Sequence, residues 1–279
     1  MTSPSRSEVS IAQGKDPYQR TARCLALLSP PTFHGLSSVF VKFNLAPYFQ
    51  QDRTDVGTHP EAVRAVLHYL RAHGVNDITV GEGPAGEDAF RGFHECGYVR
   101  MCEEEGVRLV DLDSDEIVEV SIPDARSLHQ VGLPKCVLAC DDLVDVAWMR
   151  THGYTLISLC MKNLMGVVRP DKGIIHHPFP ERITDLTAYV KPILSVVDAT
   201  TAFDEGRERS VRTVDLTIAG ADIVAVDAVG TSVMGFDPLQ IEHIRYAQER
   251  GLGIADLSRI DLVGLSIDEV RHPFAPVGG

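Results

Sequence analysis

One lysine of this sequence lies inside an otherwise apolar stretch. Lys162 and Asn163 fall within TLISLCMKNLMG, whose spacing predicts a buried helix. Lysine is almost never buried without a partner, so Lys162 requires either a carboxylate or an anionic ligand. We therefore predict a binding or catalytic lysine with a lowered pKa; the alternative is a lysine whose ammonium extends to solvent.

Further charged and hydrogen-bonding residues follow the predicted strands. Ligands of open α/β sheets bind outside the carboxyl ends of strands, so residues at these positions are candidates for one site. Taken singly, each is more typical of a loop or of a helix cap. The candidates are Lys42 and Asn44 at the end of VFVKFNL, Glu82 after DITV, Asp111 after VRLV, Arg150, Thr151 and His152 after LVDVAWM, and Asp198 after ILSVV.

The residue types suggest a division of roles. The predicted catalytic residues are Lys42, His152 and Lys162, with His152 as general acid or base. Glu82, Asp111 and Asp198 carry the carboxylates that a divalent metal prefers. The predicted substrate-binding residues are Asn44, His59, Arg150, Thr151, Asn163, Lys172 and His176.

Two other patterns have structural alternatives. GEGPAGED, residues 81–88, is a Gly-rich turn, but it matches neither GxGxxG nor GxxxxGK[ST], so a tight strand-to-helix connection is the simpler interpretation. Cys136 and Cys140 share one helix face, and with Cys160 they fit a metal or cluster site. Buried structural cysteines are the more typical interpretation.

The order of the elements predicts the fold. Strands and helices alternate from VFVKFNL to VRLVDLD, which implies parallel strands with right-handed crossovers. GTHPEAVRAVLHYLRAHG predicts a helix with Thr58 as N-cap and Pro60 near its first turn. We expect an α/β fold with a largely parallel sheet and helices on both faces. It forms a single domain over residues 36–270, between a flexible arm at 1–35 and a tail at 271–279.

Composition excludes several classes of protein. Of 279 residues, 44% are hydrophobic and 23% charged, which allows a core of normal size. The net charge of −13 repels a phosphate backbone and argues against nucleic-acid binding. The chain has neither an apolar leader nor a run of about 20 apolar residues, so we expect a cytoplasmic protein without a membrane span.

Several segments together resemble the domain of unknown function 362 family. They are VFVKFNL, GTHPEAVRAVLHYLRAHG, ITVGEGPAG, RTHGYTLISLCMKNLMGVV and DLTIAGADIVAVDAVGTSVMGFDP. They keep the family's order over about residues 38–265. The resemblance implies an α/β fold, distantly similar to that of the nickel-dependent lactate racemase. The family is similar to many proteins that carry an appended ferredoxin-like iron–sulfur module, which we expect this chain to lack.

The family pattern also shows where this chain differs. Lys-Pro-Asn in the family corresponds to Lys42-Phe43-Asn44, and its Lys-Asn corresponds to Lys162-Asn163. Trp148 and Arg150 replace the two lysines of a Pro-Lys-x-Lys-Thr-His run. The resemblance therefore implies a changed substrate relative to the family.

These observations favour an enzyme that acts on a small anionic or oxygenated metabolite by acid–base chemistry. An isomerase, an epimerase or a lyase of specialised metabolism fits, with or without a metal. One alternative is an iron–sulfur-linked oxidoreductase or a redox partner of a ferredoxin; another is a non-catalytic binding protein for a phosphorylated or carboxylate ligand. The cofactor stays open, with a divalent metal ahead of an iron–sulfur cluster, and a homodimer is compatible with the sequence.

Overall fold

The computed structural model describes residues 6–31, 33, 35–46, 56–84, 89–206 and 209–277. Eleven strands occur in these ranges. They are β1 (Ser7–Gln13), β2 (Ser38–Phe43), β3 (Asp77–Glu82), β4 (Arg108–Asp111), β5 (Ile117–Ser121), β6 (Gln130–Pro134), β7 (Asp142–His152), β8 (Leu156–Ser158), β9 (Leu194–Asp204), β10 (Ser210–Gly220) and β11 (Ile260–Gly264).

Nine α-helices occur in the same ranges, together with short 3-10 helices. The α-helices are α1 (Pro17–Leu27), α2 (Pro60–Ala72), α3 (Ala89–Glu95), α4 (Tyr98–Glu105), α5 (Lys135–Leu138), α6 (Cys160–Asn163), α7 (Phe179–Val190), α8 (Ile223–Val233) and α9 (Glu242–Glu249). Two of the 3-10 helices flank the site described below, at Leu164–Val167 and Lys172–His176.

The main sheet is mixed but mostly parallel. Its strand order is β11-β1-β10-β9-β7-β2-β3-β4, and β8 pairs with β7. Strands β4, β3, β2, β7 and β9 are parallel neighbours, whereas β10 runs antiparallel to both β9 and β1. Five consecutive strands therefore end at one edge of the sheet. The predicted α/β architecture with a largely parallel sheet is confirmed.

Two apolar cores cover the two faces of this sheet. One contains Phe93 and Met101 of α3 and α4 together with residues of α1 and α2. The other contains Met161 of α6 and Val226 of α8 together with residues of α7 and α9. Because side chains alternate along a strand, adjacent residues of β2 face different cores. Phe43 stacks on Tyr98 of α4 with 3.8 Å between the ring centroids.

The prediction of a flexible arm over residues 1–35 is wrong for the part that forms β1 and α1. Val9 and Ile11 are fully buried because β1 pairs with β10 on one side and β11 on the other. Asp16 caps α1 by accepting a hydrogen bond from the backbone N–H of Gln19, and Pro17 follows it. The partners of β1 lie some two hundred residues away, so local composition does not reveal them.

Two local expectations also need correction. The N-cap of α2 is His59, whose Nδ1 accepts a bond from the backbone N–H of Glu61, while the Thr58 hydroxyl donates to the carbonyl of Val146 at 2.8 Å. The segment TLISLCMKNLMG is not one helix, since it divides into β8, the single turn of α6 and a 3-10 turn.

None of the helices in the described ranges combines the length and the apolar character that crossing a bilayer demands.

Candidate functional site

Lys42 lies at the end of β2 and is fully buried in an ion pair. Its ammonium contacts the carboxylate of Glu82, at the end of β3, and donates to Asn163 Oδ1 at 2.8 Å. Gly166 packs against this ammonium so closely that a Cβ there would overlap Lys42 Cε and lie 2.6 Å from Nζ. The charge of Lys42 is thus already neutralised within the protein.

The side-chain amide of Asn163 joins Lys42 to Asn44, just beyond β2, and to Asp145, within β7. Asn163 Oδ1 also accepts from Asn44 Nδ2 at 3.0 Å, and Asn163 Nδ2 donates to Asp145 Oδ1 at 2.7 Å. Burial raises the pKa of Asp145 to about 8, against the effect of the neighbouring Lys42 charge. We call Lys42, Asn44, Glu82, Asp145 and Asn163 the lysine network. Its members bind one another, so Lys42 positions Asn163 and α6 instead of offering a free cation.

The short helix α6 is held by a carboxylate from α8. Asp227 accepts hydrogen bonds from the backbone N–H groups of Cys160 at 2.8 Å and Met161 at 2.9 Å. Burial raises the pKa of Asp227 to about 7, and these two bonds oppose that rise. A carboxylate at this position satisfies N–H groups that a helix start leaves unpaired. It fixes α6, from which Asn163 joins the lysine network.

Lys162, the neighbour of Asn163, has a different environment. The residue is 8% exposed, and its one hydrogen-bond partner in the described part of the chain is Met165 Sδ at 3.7 Å. Burial lowers the pKa of Lys162 to about 7; the charges of Arg150 and Lys172 lower it further, and Glu205 opposes them. We call Arg150, Lys162 and Lys172 the cation group.

The other two members of the cation group come from β7 and from a 3-10 helix. Arg150 is 8% exposed near the end of β7. Lys172 Nζ donates to the carbonyl of Gly83 at 2.8 Å, just beyond β3, and burial lowers the pKa of Lys172. Three cations therefore gather at the carboxyl edge of the sheet in a chain whose net charge is −13.

A cavity of about 380 Å³ opens beside the end of β7. His152 and His243 both line it, together with Tyr154 and Phe179. Burial lowers the pKa of His152 to about 2 and that of His243 to about 3, and the charge of Lys162 contributes to both shifts. Both rings are therefore neutral at physiological pH. We call this space the imidazole cavity.

The orientation of His152 is fixed by its own turn. His152 Nδ1 accepts a hydrogen bond from the backbone N–H of Tyr154 at 3.1 Å. Because Nδ1 is the acceptor, we assign the proton of the neutral ring to Nε2. His152 therefore offers a hydrogen-bond donor and not a free base.

His176 lies near the same cavity, whereas two other predicted substrate ligands have structural contacts. The His176 ring lies 5.8 Å from that of Tyr154, and burial lowers its pKa with help from the Lys162 charge. Thr151 is fully buried and accepts a bond from the backbone N–H of Glu205 at 2.7 Å. His59 caps α2 and lines a separate cavity with Thr200.

The structure does not bring the three predicted metal ligands together. Glu82 is bound to Lys42, and Asp111 accepts from the Ser114 hydroxyl within a turn. Asp198 faces α1 and α2, where it binds Arg20 at 3.0 Å and the backbone N–H of His59 at 2.7 Å. Across the described ranges, no group of three or more His, Cys, Asp or Glu residues is arranged to hold a metal. The prediction of a metal site at these carboxylates is corrected accordingly.

The three highlighted cysteines have packing contacts. Cys140 Sγ donates to the carbonyl of Cys136 at 3.4 Å, and Cys160 Sγ to that of Val196 at 3.6 Å. Burial raises the pKa of each thiol. The structural interpretation therefore fits them better than a cluster site. Of the Gly-rich turn, residues 85–88 lie outside the described ranges.

Sequence reasoning missed His243 and Asp145. Asp145 lies within the apolar strand LVDVAWM, and a carboxylate in such a strand is itself a signal. His243 precedes the buried Ile244 on amphipathic α9, so helical spacing places it on the buried face.

Comparisons with known proteins agree with this fold. The family described as "Domain of unknown function (DUF362)" matches residues 39–232. A thylakoid-associated protein of Synechocystis sp. is 24% identical over 203 residues, which are 69% of this chain and 61% of that protein. The chain thus spans less than two thirds of that relative's length.

One solved structure shows a likeness of fold alone. The lactate racemase apoprotein of Thermoanaerobacterium thermosaccharolyticum superposes with a TM-score of 0.50 at 12% identity, covering 80% of this chain and 57% of that one. A protein of Thermotoga maritima gives a TM-score of 0.39 at 10% identity, over 85% and 60% of the two chains. With the family matching over residues 39–232, the chain belongs to the family of domains of unknown function named DUF362.

Proposed function

We propose that this protein is an enzyme that binds a small anionic metabolite at the cation group and moves a proton with Lys162. The observation that carries the proposal is the environment of Lys162. Its amine is buried beside two other cations, and no carboxylate of the described residues is within hydrogen-bonding distance. An anionic ligand would supply the missing negative charge.

The same environment suits proton transfer. A general base works best when its pKa lies near the working pH, and burial lowers the pKa of Lys162 to about 7. Arg150 and Lys172 remain as cations to hold the anion. Lys42, which the sequence suggested as catalytic, acts as a positioning residue because Glu82 already binds it.

His152 supplies the second half of the chemistry. In the proposed step, the neutral amine of Lys162 takes a proton from a carbon next to a carboxylate or carbonyl group. The electron pair of that C–H bond moves onto the oxygen, which accepts a hydrogen bond from His152 Nε2–H. A neutral imidazole can act as such an electrophile. Return of the proton to carbon gives an isomer or epimer, and loss of a β-substituent gives a lyase reaction.

The test is the exchange of a carbon-bound proton of the ligand for deuterium. Purified protein is incubated in D₂O with a panel of three- to five-carbon hydroxy-, oxo- and amino-carboxylates, and NMR detects loss of each α-proton signal. We expect exchange by the wild type, a loss of about 10²–10⁴-fold in Lys162→Met, and a smaller loss in His152→Phe.

The matched control is Lys15→Met, because Lys15 is exposed and far from the cation group in sequence. We expect it to exchange at the wild-type rate. Full exchange by Lys162→Met would refute the proposal. Tight ligand binding with no exchange by the wild type would instead favour the non-catalytic binding alternative.

A further inference from the structure

His243 is a buried imidazole that lines the imidazole cavity, and one of its nitrogens has no partner in the described part of the chain. The residue is 2% exposed, and Nε2 has no hydrogen-bond partner within the described part of the chain. The edge-to-face contact with Phe179, at 5.3 Å between ring centroids, holds the ring in place. A buried polar atom without a partner is costly, so a native structure that retains one calls for an explanation.

Two polar aromatic side chains that line this cavity already have partners within the protein. The Tyr154 hydroxyl donates to the carbonyl of His176 at 2.7 Å and lies 3.0 Å from His177 Nδ1. His152 Nδ1 accepts from the backbone of Tyr154. His243 Nε2, by contrast, has no protein partner in the described part of the chain.

The chemistry of His243 restricts that partner. Burial lowers the pKa of His243 to about 3, and the one charged group that adds to this shift is Lys162. A ring that stays neutral forms no ion pair with a carboxylate. It forms a hydrogen bond with a hydroxyl in either tautomer, and with a carbonyl or carboxylate oxygen in its N–H form. Because the cation group takes the carboxylate of the proposed ligand, an uncharged oxygen is left for His243.

We infer that His243 binds an uncharged oxygen of the ligand, so that the substrate is a small carboxylate bearing a hydroxyl or carbonyl group. This rests on the proposed function, which places the anionic end of the same ligand on the cation group. The cation group recognises charge, and His243 distinguishes oxygenated carboxylates from plain ones. A site that hydrogen-bonds a hydroxyl rejects the analogue that lacks it, because its own polar group is then left unpaired.

The experiment measures dissociation constants for four probes by calorimetry at pH 6: butanoate and its 2-, 3- and 4-hydroxy derivatives. We expect the wild type to bind one hydroxybutanoate at least about tenfold more tightly than butanoate. In His243→Phe this preference should vanish while butanoate affinity is kept. In His243→Gln, whose amide can still bond a hydroxyl, part of the preference should return.

The outcomes distinguish failure of the inference from failure of the proposed function. Equal affinity of the wild type for all four probes overturns the inference but leaves the anion site standing. A preference that persists in His243→Phe also overturns it, and shows that water or packing accounts for the unused nitrogen. Failure of the wild type to bind any probe defeats the proposed function and the inference together.

A measurement on the wild type covers the case in which His243→Phe does not fold. The ¹⁵N chemical shift of His243 Nε2 should move on saturation with the preferred hydroxybutanoate and stay in place with butanoate. An unmoved signal with every probe contradicts the inference.

Discussion

Two buried lysines at the same edge of the sheet show opposite ways of placing a cation inside a protein. Lys42 is enclosed by the lysine network, where Glu82 balances its charge and Asn163 Oδ1 accepts a hydrogen bond from its ammonium. Lys162 lies one residue from Asn163, yet it has a thioether as its hydrogen-bond partner in the described chain and two cations for neighbours.

The difference separates a structural lysine from a functional one. A buried ion pair with good geometry is costly to break, because removal of one partner leaves the other charge buried and uncompensated. A buried lysine without such a partner keeps a lowered pKa and destabilises the empty protein. The contrast predicts opposite signs for the same substitution at the two positions.

The largest expected effect is that of Lys42→Met. It leaves Glu82 buried without its cation, and we expect a loss of about 3–5 kcal/mol in the free energy of unfolding. Urea denaturation at pH 7 measures it. Exposed Lys15→Met is the control and should change little. Wild-type stability in Lys42→Met would remove the structural half of the comparison.

Gly166→Ala should have the next largest effect. Its Cβ would overlap Lys42 Cε, so we expect overpacking to cost about 1–3 kcal/mol. The measurement is again urea denaturation. Gly106→Ala is not a suitable control, because Gly106 has a positive φ that an alanine adopts only with strain. The double variant Gly166→Ala/Lys42→Met should lose less than the sum of the two single changes. Strict additivity would mean that Gly166 does not act through Lys42.

Lys162→Met should act in the opposite direction and stabilise the protein by about 0.5–2 kcal/mol, at the cost of activity. The folded-state pKa of Lys162, about 7, lies below its ordinary value of 10.5, so the folded state binds fewer protons than the unfolded state between them. The advantage of the methionine variant is therefore full below pH 7 and shrinks as the pH rises toward 10. Denaturation at pH 6, 8 and 9.5 tests this, and a variant less stable than wild type at pH 6 would contradict it.

The smallest expected effect is fractional proton uptake on ligand binding. A bound carboxylate favours the ammonium form of Lys162, so the complex should take up a fraction of a proton at pH 8 and almost none at pH 6. The rest of the population at pH 8 keeps the neutral amine that the proposed proton transfer requires. Calorimetry in two buffers of different ionisation enthalpy reports this uptake. Lys162→Met should abolish it, and identical uptake in that variant would assign the proton to another group.

The sequence predicts the central fold well because its signals are local. Apolar strand segments and capped helices follow one another from β2 onward, and each is recognisable within about ten residues. The strand β1 is different: SEVSIAQ mixes polar and apolar residues, and its burial depends on β10 and β11 at the other end of the chain. Pairing at that separation leaves no trace in local composition.

The site is less predictable for a related reason. A lysine in an apolar segment identifies Lys162, but nothing local shows that Glu82 pairs with Lys42 instead of joining a metal site. Asp198 is predicted to end a strand, but it lies within β9, and its side chain faces α1 and α2. Side chains alternate between faces, so a shift of one residue in register would have reversed that outcome.

The single turn of α6 links the two lysines mechanically. Asp227 accepts hydrogen bonds from the backbone N–H groups of the first two residues of α6, and the next two residues of the same turn are Lys162 and Asn163. Any tilt of this turn would displace the amine of Lys162 and the amide of Asn163 together. A ligand that shifts Lys162 would therefore also shift Asn163 and its partners in the lysine network. A substitution that changes the surroundings of one lysine would change those of the other.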